Sequence, residues 1–366
     1  MAFLEIETAD YRNLEGGAIA TGASFVFFIG ENGQGKSNIL DALYTLCYGS
    51  SFRRGTDAEA VCSGKKSWQL KGSLTDRLDE KIEAAAFTDV LNIQWSKKGK
   101  SIKENDKPVY DRKYLVERYP AIVFCHEDMD FVQGEPERRR FFFDQTAGLI
   151  KASYIDSLRN YKKVLKLRNQ ALKDRVMDLL DIYDYQLATY GLYLQTERTA
   201  LVDGFNSTFS DCHERISLLG REVRIEYKSS WKYDTVDQIC SQLALNRERD
   251  LLLGTSTSGP HRDRYSFIDG PGDYAQRAST GQKRLMSLVL RIAQAEYFTA
   301  ASGRKPLLLL DDVLLELDPE KRKRFMVNLP EAEQSFFTFL PGEPFRDYIK
   351  RDTIVYWTED GRFTGT

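Results

Sequence analysis

Gly30-Glu31-Asn32-Gly33-Gln34-Gly35-Lys36-Ser37 is the stretch on which the fold of this chain turns. It fits G-x-x-x-x-G-K-[ST], a loop that needs a strand before it and a helix after it. Both are present. Phe25-Val26-Phe27-Phe28-Ile29 is an apolar run of strand length, and Ile39, Leu40, Leu43, Leu46 and Cys47 recur at helical spacing over residues 38–48. In such a loop the glycines let backbone N–H groups turn inward around phosphates, Lys36 places a point charge on the β and γ phosphates, and the Ser37 hydroxyl faces Mg²⁺. Ordinary glycine turns also match short patterns, so the context and a second site far along the chain carry the weight.

That second site is Pro306-Leu307-Leu308-Leu309-Leu310-Asp311-Asp312, a continuous apolar run of the kind buried in a parallel sheet, ending in two carboxylates. In open parallel sheets ligands gather at the carboxyl ends of the strands. We expect Asp311 to hold Mg²⁺, through water, and Asp312 to orient the attacking water beside the γ-phosphate. A solvated acidic loop is the plainer account, but two adjacent like charges oppose each other unless a cation is near. Between the two sites lies Ala278-Ser279-Thr280-Gly281-Gln282-Lys283-Arg284, followed by Leu285, Leu288, Val289, Ile292 and Ala293 on one helical face. Ser279 and Gln282 satisfy a capping box, which a core helix would use with nothing bound. The same helix end, with free N–H donors and partial positive charge, can also receive a γ-phosphate.

The texture of the chain divides it. Phe3-Leu4-Glu5-Ile6-Glu7-Thr8 alternates and reads as an edge strand, and residues 68–108, with turns at Gly72, Gly99 and Asn105-Asp106, read as antiparallel hairpins. From Pro136 to about residue 209 glycines are few, no further proline occurs, and Leu158, Tyr161, Leu165 and Leu172 recur near helical spacing. This predicts a helical insertion without the sustained heptads of a long coiled-coil arm. The expected fold class is α/β: a nucleotide-binding head of mixed sheets around the phosphate loop, split by a helical lobe. The expected divisions are residues 1–135, 136–250 and 251–366.

Composition bounds the rest. The 366 residues are 42% hydrophobic, enough for two lobes, and the longest apolar runs fall far short of the ~20 residues of a membrane span. The amino terminus carries Glu5, Glu7 and Asp10 and no export signature, and the five cysteines form no close pair. A cytoplasmic, membrane-free protein is expected. Lys and Arg number 52 against 54 Asp and Glu, so any polyanionic partner must meet a local patch. One exists: residues 151–175 hold eight basic side chains against two acidic ones, and Lys162, Lys163, Lys166 and Arg168 are its candidate DNA contacts. A solvated helical face laced with ion pairs fits the same charges.

Taken together, the phosphate loop, the 278–284 stretch and the Asp311-Asp312 strand resemble the ABC-type ATPase heads of transporters, SMC proteins and the RecF family. In those heads ATP is sandwiched between one subunit's phosphate loop and the other's signature. The resemblance implies an ATP-dependent homodimer in which Ser279, Gly281 and Gln282 act in trans and Glu316-Leu317-Asp318 crosses the interface. Within this superfamily the chain resembles the RecF family over nearly its whole length. The resemblance rests on Tyr11-Arg12-Asn13-Leu14, on Asn38, Asp41 and Ala42 behind the phosphate loop, on Gly134-Glu135-Pro136-Glu137-Arg138-Arg139-Arg140 with Asp144, on Gly259-Pro260-His261-Arg262-Asp263, on residues 310–318, and on the 161–169 stretch. It implies that Arg12 and Asn13 border the nucleotide together with residues 30–37. It further implies a slow Mg²⁺-dependent ATPase that serves as a switch: ATP-bound dimers engage duplex DNA near single-strand junctions, work with RecR and RecO, and support RecA loading in recombination, repair and replication restart.

Departures are visible too. Ala278 and Lys283 stand where the family signature has Leu and a second Gln, and Leu315 replaces a Ser before Glu316. Thr338 stands where transporter heads carry a switch histidine. Three other readings stay in play: an energising subunit of a transporter, a nuclease-associated ATPase, and a scaffold that binds ATP without hydrolysing it. The missing histidine argues against the first. The absence of an acidic metal-binding domain argues against the second.

Overall fold

The computed structural model describes residues 1–76, 89–218, 220, 222–270, 272–315 and 317–365. The part of the expected hairpin region at 77–88 lies outside them. The chain packs into two compact units, residues 1–127 with 298–366, and residues 128–297. These divisions differ from those drawn on texture at 136 and 250. Residues 128–135 pack with the helices that follow them, and residues 251–297, with the capping-box stretch, pack in the helical unit rather than with the phosphate loop.

The first unit holds two six-stranded sheets. One is antiparallel, in the order Gly17–Ala20, Ala2–Ala9, Ser67–Thr75, Asp89–Ser96, Gly99–Glu104, Lys107–Pro108. Ala2–Ala9 is therefore interior to its sheet, not an edge strand as its alternation suggests, because Gly17–Ala20 folds back and pairs with its free side. The other sheet runs Arg362–Gly365, Thr353–Glu359, Phe25–Ile29, Gln334–Phe339, Leu307–Leu310, Ala121–Phe124. Its last five strands are parallel, and only the terminal hairpin turns back. Phe27, Phe337 and Phe339 meet edge-on or stacked along its centre.

The helix Lys36–Tyr48 touches strands of both sheets, and nearly every one of its side chains is buried. A helix buried on nearly every side is a core helix, and its buried Lys36, Asp41 and Thr45 must therefore find partners. Gln334 bridges the sheets at the other end: its amide accepts from Phe3 N at 2.9 Å and donates to Phe3 O at 3.0 Å and Ala23 O at 2.9 Å. A fully buried amide with its lone pairs and protons satisfied fixes how the sheets register.

The second unit is mainly helical, as the texture predicts. Pro136–Ile150, Ala152–Asp174 and Leu180–Ser217 follow one another, the last with 38 residues. Arg175, in a left-handed conformation, ends the second helix, and a short turn leads into the third, so the two pair as a hairpin. A three-stranded sheet, Gly272–Asp273, Arg264–Asp269, Val223–Lys228, completes the unit with the helix Thr280–Ser302 up to residue 297. Among the described residues no helix is long and apolar enough to cross a membrane.

Candidate nucleotide site and the capping-box helix

The glycine-rich loop leaves the sheet at the carboxyl end of Phe25–Ile29, where neighbouring parallel strands also end. Gly30 is forced by space: a Cβ there would sit 2.4 Å from the Thr358 carbonyl oxygen. Gly33 and Gly35 are forced by backbone, at φ +83° and +112°. The Lys36 ammonium curls over the loop and donates to the carbonyls of Gly30 at 2.8 Å and Glu31 at 3.0 Å. Gln34 is strapped by the turn of the terminal hairpin, its carbonyl accepting from Gly361 N at 2.8 Å and its side chain from Asp360 N at 2.6 Å. Gly361 can be only glycine, because a Cβ would fall 2.0 Å from Asn13 O. Nothing in the sequence pattern points to this strap, since it lies more than three hundred residues from the loop.

Asp311 and Asp312 stand at the end of Leu307–Leu310, as expected, and Thr338 stands between them. Its hydroxyl lies 3.2 Å from Asp311 Oδ1 and 2.9 Å from Asp312 Oδ1, and accepts from Asp312 N at 2.7 Å. Ser37 reaches Asp311 with a side-chain hydrogen bond. Burial, reinforced by the charge of Asp312, pushes the Asp311 carboxyl up to about 6. Asp312 has φ +48°, uncommon for a residue with a side chain and typical of functional turns. Half-buried Glu343, from the loop after Gln334–Phe339, adds a third carboxylate to the field; burial raises its pKa, and Asp312 raises it further. Ser37 and Asp311 offer hard oxygens side by side, a donor set that suits Mg²⁺.

Asn13 donates to Gly33 O at 3.0 Å and accepts from Asn38 at 2.6 Å, so the 11–14 stretch lies against the phosphate loop. The capping box at 279–282 forms in both directions: Gln282 N donates to Ser279 Oγ at 3.3 Å and Ser279 N to Gln282 Oε1 at 2.9 Å. Ser279 and Gly281 are exposed, and a Cβ on Gly281 would touch nothing within 4 Å. Leu315 is part-exposed and Asp318 caps the helix Pro319–Val327, accepting from Lys321 N at 2.9 Å; Glu316 lies outside the described residues.

One candidate contact is corrected. Arg168 is fully buried, donating to Asp184 at 2.6 Å, Asp250 at 2.7 Å and Ser256 at 2.8 Å, and is unavailable to a DNA phosphate. It sits on the inward face of Ala152–Asp174, whereas Lys162, Lys163 and Lys166 are exposed on the outer one. The stretch at 259–263 likewise turns out to be a packing hub. Asp263 pairs with buried Arg198 at 2.7 Å and accepts from Ser230 N at 2.7 Å, and Arg198 also holds Asp144 at 2.8 Å. Arg139 and Arg140 donate to the carbonyls of Tyr265 and Asp263, each at 2.9 Å, which makes both packing residues.

Residues 3–341 match the family model described as the RecF/RecN/SMC N terminal domain. The DNA replication and repair protein RecF of Treponema pallidum is 44% identical over 96% of this chain and 98% of its own length. That of Leptospira interrogans serovar Lai is 30% identical over 93% of this chain and 92% of its own. The chain belongs to the RecF family. Its fold agrees with that of the recombination mediator RecF-ATP, at TM-score 0.88 and 26% identity over all of this chain and 97% of the other. The Smc head bound to the C-terminal winged helix domain of ScpA shares the fold at TM-score 0.58 and 14% identity.

Proposed function

We propose that this RecF-family chain is an ATP-dependent DNA-binding recombination mediator, with Mg²⁺·ATP held by residues 30–37, Arg12 and Asn13 and with Asp311 on the metal. The observation that carries this reading is the convergence of Ser37, Asp311, Asp312 and Thr338 beside the phosphate loop. When bound, the metal neutralises phosphate charge. Lys36 then leaves the Gly30 and Glu31 carbonyls for the phosphates, and Asp312, held by Thr338, orients water at the γ-phosphate.

The exposed end of Thr280–Ser302 supports the trans role of Ser279, Gly281 and Gln282, because Ser279 and Gly281 face solvent at the positive end of the helix, where a second subunit's nucleotide can be met. Such a bridge forms with ATP and is lost on hydrolysis, so slow turnover acts as a switch. Asp318, and Glu316 from the sequence pattern, would cross that interface. Lys162, Lys163 and Lys166, with Arg159 and Lys173 one heptad to either side of Lys166, form an exposed basic stripe about 20 Å long that suits a duplex backbone. RecF relatives bear the name DNA replication and repair protein, and a structural relative is placed in the RecFOR pathway. By that likeness RecR, RecO and, through them, RecA are the partners at duplex and single-strand junctions.

Fluorescence anisotropy of gapped DNA, with and without Mg²⁺·ATP, tests this. Wild type should bind in an ATP-dependent way and Lys36→Met should not. ATP-independent binding of equal strength by both would refute the switch.

A further inference from the structure

Behind the phosphate loop, on the helix Lys36–Tyr48, Asp41 is completely buried, accepts four hydrogen bonds and makes one further ion-pair contact. Oδ2 takes the Tyr11 hydroxyl at 2.8 Å and Arg12 Nε at 2.7 Å, with Arg12 Nη2 in ion-pair contact at 2.7 Å. Oδ1 takes the Ser51 hydroxyl at 2.7 Å and Phe52 N at 3.1 Å. The donors come from two loops, residues 10–14 and 51–53. Ser51 also accepts from the same Arg12 Nη2 at 3.1 Å and from Arg53 N at 2.9 Å, and Arg53 reaches Asn38 at 2.6 Å. Arg12 itself is held at φ +52°, a conformation that costs a side-chain-bearing residue about 1 kcal/mol and persists only where its surroundings over-determine it.

We propose that Asp41 is the positioning residue of the nucleotide site: it fixes Arg12 and the two flanking loops so that the guanidinium is already in place when nucleotide enters. This rests on the reading of residues 30–37 and Arg12 as the nucleotide site. A simple buried ion pair needs one or two contacts; here each carboxylate oxygen accepts two hydrogen bonds, Oδ2 also carries the ion pair with Arg12, and the next residue after Arg12 packs on Gly33. The geometry is that of a bracket, in which a carboxylate deep in the helix sets the direction of a side chain that remains partly exposed at the loop. Preorganisation of this kind lowers the ordering cost of binding and therefore shows in affinity.

The test is a double-mutant cycle on the full chain, read as affinity for a fluorescent ATP analogue, with thermal unfolding of the nucleotide-free protein measured beside it. Asp41→Asn and Arg12→Gln should each weaken binding about tenfold, the worth of a charge-assisted hydrogen bond. The double variant should bind no more weakly than Arg12→Gln alone, because Asp41 acts through Arg12. Additive losses, or wild-type affinity in Asp41→Asn, would overturn the proposal and leave Asp41 a packing residue. If Asp41→Asn does not fold, Ser51→Ala replaces it: about a threefold loss in wild type and none in the Arg12→Gln background is expected. Equal losses in both backgrounds would count against the bracket. Lys36→Met separates the two layers. Loss of binding there with normal binding in the Arg12 and Asp41 variants would refute the bracket alone, whereas normal binding by Lys36→Met would remove the nucleotide site itself.

Discussion

Replacing Arg168 by Met should unfold the helical unit more easily and leave DNA affinity of the folded protein unchanged. Arg168 is inaccessible to solvent and holds two buried carboxylates, Asp184 at 2.6 Å and Asp250 at 2.7 Å. Removing one partner of a buried pair costs about 3–5 kcal/mol, because the remaining charge is stranded. The lower end applies here. Asp184 keeps Arg247 at 2.6 Å, and Asp250 keeps Thr257 N at 3.0 Å and its hydroxyl at 2.7 Å. A loss of about 3 kcal/mol in a unit of this size lowers its melting temperature by roughly 6–12 °C. Differential scanning calorimetry reads that shift, and the triple variant Arg168→Met, Asp184→Leu, Asp250→Leu should recover part of it by removing the stranded charges. An Arg168→Met protein that melts like wild type and binds DNA more weakly would contradict the burial and return Arg168 to the basic surface.

Other expectations follow from single contacts. Gly30→Ala should lower stability by about 1–3 kcal/mol and weaken ATP binding, because its Cβ meets the Thr358 carbonyl at 2.4 Å; chemical denaturation and nucleotide titration check this. Gly281→Ala, where a Cβ meets nothing, should stabilise the monomer by up to about 1 kcal/mol yet weaken nucleotide-dependent dimers, as read by unfolding and by light scattering. His261 Nε2 donates to Ser256 O at 3.0 Å and its Nδ1 meets the Tyr161 hydroxyl at 2.7 Å, and burial pushes it down to about 4. Its folded pKa lies below its unfolded one, so the unfolded chain takes up the extra proton. Stability from this group is full above pH 6.5 and is lost as pH falls towards 4, by roughly 3 kcal/mol, and His261→Gln should flatten that part of the pH–stability curve.

The head was legible because its chemistry is local. Residues 25–48 carry strand, loop and helix in one stretch, and the apolar run at 307–310 announces a buried parallel strand that ends at Asp311. Thr338 could be placed by resemblance, although only folding brings its hydroxyl to both carboxylates. What sequence hid is long-range. The strap from Asp360-Gly361 onto Gln34 and the bracket of Asp41 depend on pairings across the unit, which no periodicity encodes. Arg168 misleads for a related reason: on a basic helix its charge resembles that of Lys162, Lys163 and Lys166, and the inward phase shows only once Asp184 and Asp250 are packed against it. The units divide at 128 and 297 where texture divides at 136 and 250, because residues 251–297 regain the strands and glycines of a head while packing with helices.

A composite site requires that the phosphate loop of one subunit work with the capping-box helix of another. Lys36→Met lacks the first and Ser279→Arg blocks the second, so each alone should neither dimerise with ATP nor turn it over. Mixed in equal amounts with Mg²⁺·ATP, the two variants can assemble one complete composite site, and part of the wild-type phosphate release should return. No phosphate release from the mixture, with both variants folded, would contradict a site shared between subunits.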